Sequence, residues 1–155
     1  ITKRKNMFIW PGECHVHAGI RAEDINTMMK NYTNAEFLVH PECSCTSSTM
    51  YHMSKGDLLN EGHILSTEGM MARAKNSSKT DFIVATETGI LYRMQKENPT
   101  KNFIPIRKDA VCQYMKKITI DKVYNSLVNN VYQVRVPKSI ADKAKYAIER
   151  MLAIG

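Results

Sequence analysis

Histidine, glutamate and cysteine stand together in the run His40-Pro41-Glu42-Cys43, directly after the apolar residues Phe37, Leu38 and Val39. Side chains of these types exchange protons near neutral pH or bind metal ions. Proline after His40 disfavours helical backbone at the histidine and removes a donor, so the chain leaves the apolar run extended. Ligands of open α/β sheets bind just beyond the carboxyl ends of strands, and this run falls at such an end. A second group, Glu13-Cys14-His15-Val16-His17, follows the apolar residues Met7, Phe8, Ile9 and Trp10 and the turn Pro11-Gly12. Ser66 and Thr67 follow His63-Ile64-Leu65, and Glu87 follows Phe82-Ile83-Val84-Ala85.

Taken singly, these residues have ordinary explanations. Serine and threonine cap helices, a lone cysteine packs as a small hydrophobe, and a glutamate after a strand can serve as a cap. Their recurrence at successive strand exits matters more, because a parallel sheet gathers such positions along one edge.

The elements that would do the gathering are legible. Short apolar runs at 7–10, 36–39, 63–65, 82–85, 103–106 and 132–136 read as strands. Between them, Ile25, Met28, Met29 and Tyr32 mark one amphipathic helix, with Glu23 and Asp24 in its first turn. Met50, Tyr51 and Met53 mark a brief helix before the loop at Lys55-Gly56-Asp57. Further helices are expected over 70–75 and 90–97, and behind Thr119 with Ile120, Val123 and Leu127 on one face. Pro137 is suited to the first turn of a last helix whose buried stripe is Ile140, Ala144, Ile148 and Met151. Strands alternating with helices predict an α/β fold: repeated three-layer αβα units with short, mainly parallel sheets.

A chain of 155 residues, 43% hydrophobic, can bury a core as one domain or two small ones. It contains neither a signal-peptide pattern nor an apolar run of spanning length, so a cytoplasmic protein without membrane contact is expected. The formal net charge is +7, from 22 basic and 15 acidic residues. The basic residues cluster only at Lys3-Arg4-Lys5 and Lys116-Lys117 and lack an RNP-like aromatic motif or finger spacing. Small anionic substrates therefore fit the charge better than nucleic acid does. Cys14, Cys43, Cys45 and Cys112 form no paired C-x-x-C knuckles, and without a secretory signal they read as thiols or ligands.

Five ordered motifs carry a resemblance. Trp10-Pro11-Gly12-Glu13-Cys14-His15-Val16-His17, His40-Pro41-Glu42-Cys43, Leu65-Ser66-Thr67-Glu68-Gly69-Met70, Ala85-Thr86-Glu87-Thr88-Gly89-Ile90 and Cys112-Gln113-Tyr114-Met115-Lys116 resemble successive motifs of the quinolinate synthases of NAD biosynthesis. The resemblance spans nearly the whole chain but only about the C-terminal half of the family's length. It implies two of that family's three α/β domains, here divided as 1–64 and 65–155. It also implies condensation of iminoaspartate, supplied by L-aspartate oxidase, with dihydroxyacetone phosphate. The implied cofactor is a 4Fe-4S cluster bound by Cys14 and Cys112, with the third ligand outside this chain. His40 and Glu42 become catalytic groups, Glu42 for proton transfer and His40 for polarising substrate. His17, Pro41, Ser66 and Thr67 join them in substrate binding. The extra thiols Cys43 and Cys45 resemble one subgroup and receive no ligand role. These residues alone are expected to be inactive.

Two other readings come from the residues themselves. His15, His17, His40 and Glu42 form a nitrogen and oxygen donor set that suits a zinc-dependent hydrolase. A basic binding module with structural cysteines would instead hold no metal and bind nucleic acid in a salt-dependent way.

Overall fold

The computed structural model describes residues 12–43, 46–56 and 61–154; the apolar run at 7–10 and Cys45 lie outside them. The described elements are α1 (His15–Ala18), α2 (Ala22–Asn31), β1 (Glu36–Val39), α3 (Thr46–Lys55), β2 (Gly62–Ile64), α4 (Thr67–Asn76), β3 (Asp81–Ala85), α5 (Ile90–Glu97), β4 (Asn102–Pro105), a 3-10 turn (Met115–Lys117), α6 (Ile120–Asn129) and α7 (Lys138–Ile154). The strands form one sheet in the order β2-β1-β3-β4, and every pair is parallel.

Parallel strands need helical crossovers, which cover both faces of the sheet. Alternate residues of the central strands accordingly serve two cores. Phe37, Val39, Ile83 and Ala85 pack with Ile25 and Met29 of α2 and with Ile106. Leu38, Phe82 and Val84 pack with Met70, Met71 and Ala74 of α4 and Met94 of α5 on the other side. Because both faces are buried, β1 reads as an unbroken apolar run after Glu36 rather than as an alternation.

Local chemistry sets several boundaries. Ser66 accepts a hydrogen bond from the Gly69 amide at 3.2 Å, so α4 begins at Thr67, three residues earlier than its apolar pattern indicates. Thr119 caps α6 by accepting from Lys122 at 3.4 Å. After α3 the chain turns through Gly56 at φ +69°, a conformation that favours glycine.

The chain falls into two compact units, Ile1–Gln113 and Tyr114–Gly155. The expected division at 64/65 runs between β2 and α4, and strands from both sides of it share the single sheet. Two expectations for the second unit are corrected. Residues 132–136 form no strand: α6 ends in left-handed backbone at Asn130 (φ 48°), Tyr132 also has positive φ (67°), and no described strand offers a ladder to pair with. The α7 stripe expected to be buried is open, with Ile140, Ile148 and Met151 all more than half exposed. Helical periodicity defines an apolar face but does not supply the surface that covers it.

Candidate active site

The strand order fixes where a site can form. β1 leads to β2 on one side, and the next crossover returns past β1 to β3 on the other, so the order reverses between β1 and β3. Such a switch point opens a crevice at the carboxyl ends of the two strands. His40 follows β1 there, and its amide donates to the Ala85 carbonyl at the end of β3 (3.2 Å). Pro41 and Glu42 then form a turn closed by the Cys43 amide donating to the His40 carbonyl (2.9 Å). Thr46 Oγ1 donates to the same carbonyl at 3.0 Å and holds the turn against α3.

His17 reaches this point from α1. Its Nε2 lies 2.9 Å from Thr86 Oγ1 in a buried hydrogen bond, and its ring stacks on His40 with centroids 4.6 Å apart and planes 2° from parallel. His17 Nδ1 lies 3.5 Å from Glu42 Oε2. The Glu42 amide donates to His40 Nδ1 at 3.3 Å, so that nitrogen acts as an acceptor and a neutral His40 carries its proton on Nε2. Burial pushes the His17 imidazole below its ordinary value and the neighbouring His40 adds to the effect; the charge and hydrogen bond of Glu42 oppose them without cancelling them. His17 is thereby held neutral near pH 7, able to donate or accept.

Glu42 is 66% exposed. It lines an open cavity of about 500 Å³ together with Gly12, Glu13 and Cys14. Cys14 is a half-buried free thiol at the N-terminus of α1. Cys112, also a half-buried free thiol, follows β4. Its segment runs against α1: His15, Val16 and Gly19 share a smaller cavity of about 160 Å³ with Arg107, Asp109, Ala110 and Val111. Arg107 ties the two together, donating to the Gly19 carbonyl at 3.3 Å while pairing with Asp109 at 2.6 Å.

Ser66 and Thr67 are exposed at the start of α4, beyond β2 and so beside β1 in the sheet. Cys43 is buried in the core with α2 and β1 and is disulfide-bonded. This corrects the reading of all four cysteines as thiols or ligands, because a sulfur held in a disulfide has no thiolate to offer a metal. His15 does not join the others. It is exposed and lines the smaller cavity, whereas the donor atoms of His17, His40 and Glu42 lie within 4.8 Å of one another. Residues two apart on a helix point to different sides, so a His-x-His pair in α1 cannot converge. The four-residue zinc set is corrected to at most three, with His40 Nδ1 already accepting from the Glu42 amide.

Sequence reasoning passed over Thr86. Its position as the first residue after β3 was the available signal, but its role depends on a histidine 69 residues away.

The family model described as "Quinolinate synthetase A protein" matches residues 1–153. The chain belongs to this family. Curated relatives named quinolinate synthase include one from Thermus thermophilus, 48% identical over 155 residues, and one from Mycobacterium tuberculosis, 37% identical over 156 residues. Both alignments cover all of this chain, against 48% and 45% of the respective relatives. The relative from Pyrobaculum aerophilum is 49% identical over 143 residues, covering 92% of this chain and 46% of its own. The chain thus spans about half the length of the curated relatives it matches.

The thiols suit the cofactor implied for the family. Iron-sulfur clusters are held by cysteine thiolates, and Cys14 and Cys112 are both free, neither deeply buried nor fully exposed. One lines the cavity that also receives Glu42, and the other lies on a segment packed against the same short helix.

Proposed function

We propose that the full-length protein is a quinolinate synthase that condenses iminoaspartate with dihydroxyacetone phosphate, releasing phosphate and water. The observation that carries this reading is the sharing of one cavity by the free thiol Cys14 and the carboxylate Glu42, beside the stacked pair His17 and His40. Cys14 and Cys112 would hold a 4Fe-4S cluster, with a third ligand from outside these residues. When bound, that group supplies a Lewis acid for a substrate hydroxyl or carboxylate.

The chain's own residues supply proton transfer and orientation. Glu42 is an exposed carboxylate at the cavity wall, suited to taking a proton from carbon and returning it to oxygen during isomerisation and dehydration. His40, with its proton on Nε2, donates a hydrogen bond to a carbonyl or carboxylate oxygen and so polarises it. Neutral His17, held by Thr86, stacks on His40 and lies against Glu42, and through that pair we assign it to substrate binding. Pro41 fixes the turn that sets the distance between His40 and Glu42.

At α4, Ser66 already accepts from Gly69, so we assign the substrate carboxylate or phosphate to Thr67 and the first-turn amides, with Ser66 as support. L-Aspartate oxidase would supply the iminoaspartate, and a cytoplasmic setting goes with that pathway. No helix among the described residues is long and apolar enough to cross a membrane.

The test is metal content. Full-length protein prepared anaerobically should contain about four iron and four sulfide per chain. Cys14→Ser and Cys112→Ser should each lose most of both. Zinc without sulfide, or full iron in Cys112→Ser, would overturn the cluster.

A further inference from the structure

Glu87 is buried at 9% exposure and stands two residues beyond β3, at the sheet edge that carries the site. Its two oxygens are committed to different segments. Oε2 accepts from the amide of Gly89, the residue just before α5, at 2.6 Å. Oε1 accepts from the amide of Cys112, 25 residues further along, at 3.3 Å. Holding the Gly89 amide does not require that second bond.

The surrounding backbone reinforces it, because the Thr88 amide donates to the Ala110 carbonyl at 2.9 Å. Arg107 also ties the segment to Gly19 and, at 3.7 Å, to Asp24. The preceding residue, Thr86, holds His17, three residues past Cys14. One dipeptide at the end of β3 therefore grips both cysteine-bearing segments.

We propose that Glu87 is a positioning residue for the iron-sulfur centre: it fixes the Cys112 segment in its binding geometry and keeps the Cys112 amide from bonding to sulfur. This rests on Cys112 being a cluster ligand. Two physical consequences follow. Loss of the brace loosens a ligand, and outer partners of metal ligands commonly affect metal retention by about 10-fold or more. A negative charge beside the cluster, with an amide withheld from its sulfurs, also holds the reduction potential low. Glu87→Gln keeps an acceptor oxygen but removes the charge, whereas Glu87→Ala removes both.

The experiment uses anaerobically prepared full-length protein, with Cys112→Ser as control. Iron and sulfide content, the rate of iron loss to a chelator and the reduction potential are measured. Glu87→Ala should lose iron to the chelator about 10-fold faster than the unsubstituted protein. Glu87→Gln should stay loaded with its potential moved in the positive direction, a shift that a purely structural role would not produce. If Glu87→Ala fails to fold, the Glu87→Gln potential decides. Unchanged potential in Glu87→Gln, or unchanged retention in a folded Glu87→Ala, overturns the proposal while leaving the cluster in place. No iron in the unsubstituted protein, or full iron in Cys112→Ser, overturns the cluster reading itself.

Discussion

Two clusters of histidine and carboxylate flank β1, and they differ in what closes them. At its start, Glu36, Glu61 and His63 have donor atoms within 4.8 Å of one another; past its end, His17, His40 and Glu42 have the same property. In the first cluster the Arg73 guanidinium grips Glu36 through Nε and Nη2, at 2.8 and 3.1 Å, and reaches Glu61 at 2.8 Å. Ser77 donates to Glu36 as well, and the carboxylate is 1% exposed. The second cluster instead brings two stacked rings to a carboxylate that is 66% exposed on a cavity. Residue type alone thus does not mark a site. An arginine fork makes the first cluster a rivet between β1, β2 and α4, whereas the second keeps its carboxylate on an open cavity wall.

The sharpest way to break this contrast is to remove the charge from each cluster in full-length protein. Glu42→Gln should reduce turnover by about 10²- to 10⁴-fold with iron content unchanged, and retained turnover would refute a proton-transfer role. Glu36→Gln should do the reverse. It should cost about 2 kcal/mol of stability in urea unfolding while the folded enzyme keeps its turnover, and a loss of activity without a loss of stability would place Glu36 in the functional set.

Acid titration sharpens the comparison further, with a smaller effect. Burial raises the Glu36 carboxyl, but hydrogen bonds from Arg73 and Ser77, with the charges of Arg73 and His63, outweigh it and hold the group below its ordinary value. A depressed carboxyl stabilises the fold above its unfolded value of 4.5, and that contribution is lost as pH falls through the folded value. Glu36→Gln should therefore flatten stability in that acid range.

His17 acts in a higher window. Its folded value lies below 6.5, so as pH drops from 6.5 the unfolded chain takes up the proton first and stability declines until the folded value is passed. Glu42 pulls His17 upward, so the window should extend to lower pH in Glu42→Gln. An imidazole titration followed by NMR that shows no such shift would uncouple the two residues.

The four short strands and the helix over 90–97 were legible because their information is local: apolar runs of strand length, helical spacing, and caps such as Ser66 and Thr119. The end of β1 before His40-Pro41 was legible for the same reason. The strand expected over 132–136 failed because β-propensity describes a residue's fit to a pleated surface, and no described neighbour provides one. The functional residues were visible as types at strand exits, but their grouping was not.

What the sequence determined by itself is the four described strands, the described helices other than α1, and the family to which the motifs belong. Tertiary structure alone decided that β1 and β3 are neighbours, which brings the His40 amide to Ala85 and sets Thr86 beside His17. It also decided that Arg73 silences Glu36, 37 residues away, and that Glu87 meets the Cys112 amide. Helix and strand periodicity is written in residues a few positions apart, whereas these pairings depend on strand order and crossover paths between segments that have no local influence on one another.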